Sequence, residues 1–434
     1  MSTSRTIRVE ALTRVEGEGA LNVRLSGDQI EVVELNIYEP PRFFEAFLRG
    51  RPLEDAPDIT ARICGICPVA YQMSSVHALE RALGVEITPE IRQLRRLLYC
   101  GEWIESHALH MHLLHAPDFL GFASGIEMGQ HFPEELKRGL KLKKIGNQLL
   151  EILGGRSVHP INVCVGGFYR PPKKDALLDL LPSLEWGIAA AADATRWVSQ
   201  FDIPDFEADY DFVSLTHPDE YPFNEGDMLS SRTGSFPVAG YEQTIQEYQV
   251  PHSTALQAHK VATKSSCHFG PLARINLNRE KLRPIARQLA DEVQFPTLCQ
   301  NPFRAIVARG IEVTHAFEEA VALVKAYRPV KSVRQNYELR AGEGAAATEA
   351  PRGTLFHRYH VDEAGKIVSA TISAPTSQNQ KQIEVDLKAF LPEYLSLDNS
   401  AIGHHCERLI RSYDPCISCA THFLRLTIER SDVS

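Results

Sequence analysis

Two short stretches at opposite ends of the chain decide how it is read: ARICGICPVAY at 61–71 and DPCISCATH at 414–422. Each carries a pair of cysteines three apart, Cys64 with Cys67 and Cys416 with Cys419. That spacing brings two sulfurs within reach of one metal, and a turn between them leaves backbone amides to stabilise negative sulfur. Gly65 suits a tight turn, and Pro68 and Pro415 stiffen the flanks. One such pair alone reads equally well as a redox dithiol or an accident. Two pairs most often make a structural four-cysteine zinc site. Zinc ribbons, however, separate their pairs by about 15–20 residues, and here nearly the whole chain intervenes. A chain long enough to build its own core needs no metal staple. Sulfurs drawn from both termini suit a buried soft-metal site, open at this point to nickel, iron, copper(I) or zinc.

The rest of the composition narrows the partners. The chain has 434 residues, 44% hydrophobic and 23% charged, with a formal net charge of -9. Length alone admits two or three domains. The acidic balance argues against nucleic acid or an anionic membrane surface as partner. MSTSRTIRVEAL at the start lacks the apolar run of a signal peptide, and no stretch approaches the ~20 apolar residues of a membrane span. The expected location is cytoplasmic. Nine cysteines without an export signal do not make a disulfide framework. The five outside the two pairs, at 100, 164, 267, 299 and 406, read as small buried apolar residues.

Periodicity places these motifs in a mainly helical chain with small β elements, an α+β class. Alternation in ALNVRLSG and IEVVELNIY, with Gly27-Asp28 between, predicts a hairpin within a β-rich start at 6–38. Thr88 is a good helix N-cap, Pro89 fits the first helical position and Glu90 the positive helix end. A helix follows with mixed three and four spacing up to Pro117. Helices are also expected over 134–154, 176–200, 280–293 and 303–327, and HSTALQAHK at 252–260 offers another. Residues 200–250 read as an irregular or partly β insertion. GTLFHRYHVDEAGKIVSATISAP at 353–375 reads as two strands turning at Glu363-Ala364-Gly365, and AGEGAAATEA at 341–350 as a flexible approach to them. No repeat or convincing boundary appears. If the cysteine pairs share a site, residues 1–434 form one intertwined domain.

RICGIC and DPCISCATH resemble the two signature motifs of the large subunit of [NiFe]-hydrogenases. Further stretches agree in order along essentially the whole chain: RVEGEG at 14–19, PRFFEAFLRGR at 41–51, ESHALH at 105–110, GGRSVHPINVCVGG at 154–167, GPLAR at 270–274, NPFRA at 301–305 and EAPRGTL at 349–355. LNIYEPPRFFEA and LLYCGEWIESHALHMHLL look most like the cytoplasmic NAD(P)-linked, sulfhydrogenase-type branch.

The resemblance implies the hydrogenase large-subunit fold, with long central helices and an N-terminal β hairpin region, and a reaction, H2 ⇌ 2H+ + 2e−, by heterolytic splitting. It implies a nickel–iron centre whose iron carries one carbon monoxide and two cyanides. Cys64 and Cys416 would be terminal nickel ligands; Cys67 and Cys419 would bridge to iron. Glu16 matches the proton-gate carboxylate, and the Cys416 thiolate is a candidate base. Arg352 would polarise H2 and hydrogen-bond a cyanide, anchored by Asp414 with help from Asp118. Pro375 and Thr376 would face the cyanides. A structural Mg2+ would take Glu45, the carbonyl of Ile372 and His422. His107, His110, His115 and His159 are expected in supporting or packing roles.

Two features depart from the family pattern. Many members carry a histidine four residues after the second N-terminal cysteine, where this chain has Tyr71. Residues 423–434, FLRLTIERSDVS, follow His422, after which a maturation endopeptidase cuts most members once nickel chaperones have loaded the metal. They are expected to be a cleavable extension. With no further cysteine cluster and no GxGxxG, electrons must leave through another subunit, and the resemblance implies an iron–sulfur small subunit. Flavin and NAD(P)-binding subunits are expected beyond it. The rival readings are a non-catalytic four-cysteine zinc protein, a hydrogen sensor, and the Complex I relative, which has lost the second cysteine pair.

Overall fold

The computed structural model describes residues 4–27, 29–330 and 332–421. Its architecture is mainly helical with small antiparallel sheets, the class expected. The chain opens with strands β1 (Ser4–Val9), β2 (Gly19–Ser26) and β3 (Gln29–Ile37), in sheet order β1-β2-β3. Alternation along β2 puts Leu21, Val23 and Leu25 on one buried face. Each such side chain contributes roughly 1.5–3 kcal/mol by leaving water. Ser26 pairs with Gln29 across the turn; Asp28, expected in that turn, lies outside the described residues.

The long helices are α1 (Pro68–Leu83), α2 (Pro89–Leu109), α3 (Pro133–Gly154), α4 (Lys174–Ser199) and α6 (Ala305–Ala326), with the short α5 (Pro271–Asn278) before α6. The start of α2 is the one the local residues dictate: Thr88 caps it, its side chain accepting from the Ile91 amide. The helix then departs from its period. Residues His110–His115 form a π-helical turn before the α-helix resumes at Ala116–Leu120. Such insertions cluster at functional sites. Helix α2 packs against α3 and α6, and α6 lies along α4.

The C-terminal third carries a sheet of β4 (Gly342–Ala350), β5 (Gly353–Val361) and β6 (Ile367–Ser373), in that order. Helices α7 (Pro375–Phe390) and α8 (Asn399–Ser412) follow. Strand β4 corrects the expectation of a flexible approach at 341–350. Its small residues serve contact rather than flexibility. A Cβ at Gly344 would stand 2.1 Å from the Ala78 carbonyl, and one at Gly342 2.2 Å from that of Ala82. Helix α1 therefore lies directly on this strand, which a larger residue would push away.

The stretch 252–260 is also not helical. Leu256–Lys260 is a strand paired with Ile245–Gln249, because the hairpin gives both segments backbone partners. Within 200–250 the partly β character is present, as the strands Val213–Thr216, Asp227–Ser230 and Gly234–Phe236. The expected helix at 280–293 begins only at Pro284, whose fixed φ suits a first turn.

Two hydrophobic clusters meet at the C-terminal cysteines. Cys416 and Cys419 pack into the large cluster of the long helices, while Ile417 and Ala420 pack into the one beneath the N-terminal sheet. All nine cysteines are buried thiols.

Candidate metal centre

Cys64 precedes α1 and Cys67 is its N-cap residue, with Pro68 opening the helix. The Cys64 sulfur accepts from the amides of Ile66 at 3.3 Å and Cys67 at 3.2 Å, so the turn itself stabilises negative sulfur. Gly65 is not demanded by geometry: a Cβ there would meet nothing within 4 Å and no left-handed φ is required. From outside the motif, the buried carboxylate of Glu102 on α2 accepts from the Val69 and Ala70 amides at 2.6 and 3.0 Å. It thereby satisfies first-turn amides of α1 that lack intrahelical partners.

The second pair is held by distant segments. Glu16 and Cys416 form a parallel bridge in which the Ile417 amide donates to the Glu16 carbonyl at 2.9 Å. The Glu16 carboxylate accepts from the Ser418 amide at 3.0 Å and lies 3.0 Å from the Cys416 sulfur. Gly17, at φ 90°, passes so close that a Cβ would meet Ile417 at 2.7 Å. Thr376, at the start of α7 beside Pro375, accepts from the Cys416 amide at 3.0 Å. Arg42 joins the two halves, donating to the carbonyls of Ile63 and Ser418, each one residue before a cysteine.

The four sulfurs converge. Cys64 and Cys416 stand 3.4 Å apart, Cys67 and Cys419 3.9 Å, Cys416 and Cys419 2.8 Å, and all four lie within 4.8 Å of one another. Tetrahedral thiolate sites with metal–sulfur bonds of about 2.3 Å have sulfur edges of about 3.8 Å, so the set fits a soft metal. The electrostatics agree. Hydrogen bonding from Cys416, Cys419 and Cys67 favours a thiolate at Cys64, while burial and the neighbouring sulfurs push Cys416 up and burial pushes Cys419 up. Ionising all four requires a compensating cation.

One fixed cation is adjacent. Arg352 is buried in the turn between β4 and β5; its Nε donates to the Asp414 carbonyl at 2.7 Å and its Nη2 to Asp414 Oδ1 at 3.1 Å. Burial opposes the guanidinium charge, but Asp414 and the cysteine sulfurs outweigh it and hold Arg352 protonated. Its Nη1, buried, has no hydrogen-bond partner among the described residues, as suits a donor aimed at a non-protein group. Asp414 adopts a left-handed φ of 53°, which aspartate tolerates better than most residues.

Asp118 does not join this pair. Its carboxylate is taken by Arg411 at 2.7 and 2.8 Å and by Arg14 at 2.5 Å. It ties the segment leading to Glu16 to the helix leading to Asp414, and so does not orient Arg352 as expected. Its two arginine partners lie far away in sequence, and no local pattern announces them.

Glu45 is buried and accepts from the Ile372 amide at 2.7 Å; burial pushes its carboxyl up to about 8. His422 and residues 423–434 lie outside the described residues. Tyr71 is buried on α1, its phenol kept protonated by burial and by the sulfurs of Cys419, Cys67 and Cys64. His107 pairs with Glu312 at 3.0 Å, while His110, His115 and His159 bond the carbonyls of Arg411, Arg408 and Ala61. Sequence reasoning missed Arg42, Glu102, Arg14 and Arg411, whose charges read as ordinary surface groups until burial is known.

Comparison with known proteins gives the geometry its family. The family described as nickel-dependent hydrogenase matches residues 42–138 and 256–422. The chain belongs to the nickel-dependent hydrogenase family. It is 33% identical to sulfhydrogenase 1 subunit alpha of Pyrococcus furiosus, over 97% of this chain and 98% of that one. It is 28% identical to the NAD-reducing hydrogenase HoxS subunit beta of Cupriavidus necator, over 97% of this hydrogenase and 95% of that protein. The crystal structure of an NAD+-reducing [NiFe]-hydrogenase in the H2-reduced state superposes with a TM-score of 0.88 at 26% identity, covering 97% of this chain and all of that one. The hydrogenase is thus a catalytic large subunit and an H2 oxidoreductase, and its four cysteines fit a nickel–iron centre. Among the described residues no helix is long and apolar enough to cross a membrane.

Proposed function

We propose that this hydrogenase interconverts H2 with protons and electrons by heterolytic cleavage, and that Cys64, Cys67, Cys416 and Cys419 would hold the nickel–iron centre. The nickel–iron centre, when bound, supplies the electron-pair acceptor and the redox change. The protein supplies the proton chemistry and the shape. The observation that carries this reading is Glu16 Oε2 at 3.0 Å from the Cys416 sulfur. A carboxylate at that distance takes a proton from the thiol and passes it outward one at a time. Arg352 stays charged and, held by Asp414, presents its buried Nη1 to the reacting group.

Glu45, the Ile372 carbonyl and His422 would hold a structural Mg2+, whose preference for oxygen ligands and retained waters suits a buried carboxylate beside a strand edge. Electrons pass to an iron–sulfur small subunit and on, through flavin-bearing partners, to NAD(P) in the cytoplasm. This follows the relatives named as NAD-reducing and as alpha subunits. Thr376 would donate to a diatomic ligand of the iron while accepting the Cys416 amide. Residues 423–434 would be removed on maturation.

The test is Glu16→Gln in the assembled enzyme. H2–D2O exchange and H2-driven NAD(P)+ reduction should both fall by about 10²-fold or more while nickel content is kept. Full exchange activity would overturn the relay. H2 uptake with artificial acceptors but none with NAD(P)+ would overturn the acceptor assignment.

A further inference from the structure

The guanidinium of Arg274, on α5, is fully buried beneath the turn that carries Arg352. It uses all five of its N–H donors. Nε donates to Glu312 Oε1 at 2.7 Å; Nη1 to Glu349 Oε2 at 3.0 Å and the Ala350 carbonyl at 2.9 Å; Nη2 to Glu312 Oε2 at 2.7 Å and the Pro351 carbonyl at 2.9 Å. An arginine carries only five, so the fork is saturated and cannot rotate without losing bonds. Its Cζ lies 4.3 Å from the Trp103 ring centre.

The two backbone acceptors are what matter for catalysis. Ala350 pairs with Gly353, leaving Pro351-Arg352 as a two-residue turn. A carbonyl held in place fixes its planar peptide unit. Holding the Pro351 carbonyl therefore sets the peptide entering Arg352 and the direction in which that side chain leaves the turn. From the other side, Gly270 (φ 110°) lets α5 approach until a Cβ would stand 2.9 Å from the Arg352 carbonyl. The turn is gripped before and after the arginine, and the Arg352 side chain reaches Asp414 and the sulfurs from that fixed base.

We propose that Arg274 is a positioning residue for H2 cleavage, which fixes the Pro351-Arg352 turn through two backbone carbonyls and so aims Arg352 at the metal centre. This rests on the role given to Arg352 above. A displacement of about 1 Å in a positioned group costs on the order of 10²-fold in rate. Lysine at 274 keeps the charge but has three donors for five acceptors.

The test compares R274K, R352K and the double variant in the assembled, nickel-loaded enzyme. Nickel stoichiometry and hydrogen–deuterium exchange across 350–354 are read beside H2 oxidation. The expected result is that R274K keeps its nickel, loses at least tenfold in kcat with KM for H2 unchanged, and exchanges faster at 350–354 than elsewhere. The double variant should be no slower than R352K. Multiplying losses in the double variant, or nickel lost in proportion to rate, would overturn the proposal and leave Arg352's role standing. R352K at full rate would overturn both. If R274K does not assemble, T354V serves, because the Thr354 hydroxyl donates to Glu349 Oε1 at 2.7 Å and supports the same clamp. It should slow the enzyme about twofold with Arg352 present and not at all in R352K. An equal effect in both backgrounds, or none in either, overturns the clamp.

Discussion

The two cysteine pairs look alike as sequence and are held in opposite ways. The first carries its own support: two amides of the CGIC turn donate to Cys64 and a helix opens at Pro68, directly after Cys67. From elsewhere come Glu102, which accepts the Val69 and Ala70 amides, and Arg42, which donates to the Ile63 carbonyl. The second pair has almost no local support. Its backbone is held by Glu16 and Thr376, and its approach helix α8 by Asp118 through Arg411. Identical spacing thus hides a preformed half and a half that exists only after the rest of the chain has folded round it.

The sharpest break of this contrast is ligand removal. Cys64→Ser and Cys416→Ser should both bring bound nickel and H2 uptake to background, since each removes one of four converging sulfurs. Metal analysis reads the loss. Only Cys416→Ser should leave hydrogen exchange in the α1 first turn unchanged. Next comes support. Thr376→Val removes the acceptor of a buried amide and should cost about 1–3 kcal/mol, seen as faster nickel loss to a chelator. Glu102→Gln keeps one carbonyl acceptor and should cost about 1 kcal/mol, with the effect confined to the first pair. Equal chelator sensitivity for the two variants would remove the asymmetry.

The smallest effect near neutrality is acid lability of the second half. His110 and His115 bond the carbonyls of Arg411 and Arg408 on α8. Burial, despite Asp118, holds His115 down to about 3, with Arg309, Arg411 and Arg408 adding to the depression, and His110 is lowered by burial, Arg309 and His115. A depressed folded pKa means the unfolded chain binds more protons below pH 6.5. This stability is complete above 6.5 and is lost as pH falls toward 3. A tenfold change in proton affinity is worth about 1.4 kcal/mol. Nickel release and α8 exchange should therefore rise together between pH 6.5 and 4. A flat profile would mean that these histidines do not support the second pair.

The same contrast runs through what could be read before the structure. The helix start at Thr88-Pro89, the Glu363-Ala364-Gly365 turn and both CxxC motifs were legible because short-range chemistry makes them. Asp362 indeed accepts from the Ala364 amide at 2.9 Å in that turn. The strand at 342–350 was misread because its glycines and alanines answer to α1, which is far away in sequence. Asp118 was assigned the wrong arginine for the same reason, and the π-helical turn at His110–His115 leaves no mark in the apolar period.

By itself the sequence determined that four soft ligands exist, that each pair can share a metal, and where the chain turns and coils around them. Those are matters of residue type and of forces acting over a few neighbours. Only the tertiary structure decided that the sulfurs meet within 4.8 Å, that Arg352 faces Asp414, and that Asp118 serves Arg411. Pairings across hundreds of residues are selected by packing and by the cost of burying unpartnered charge, which no short window of sequence contains.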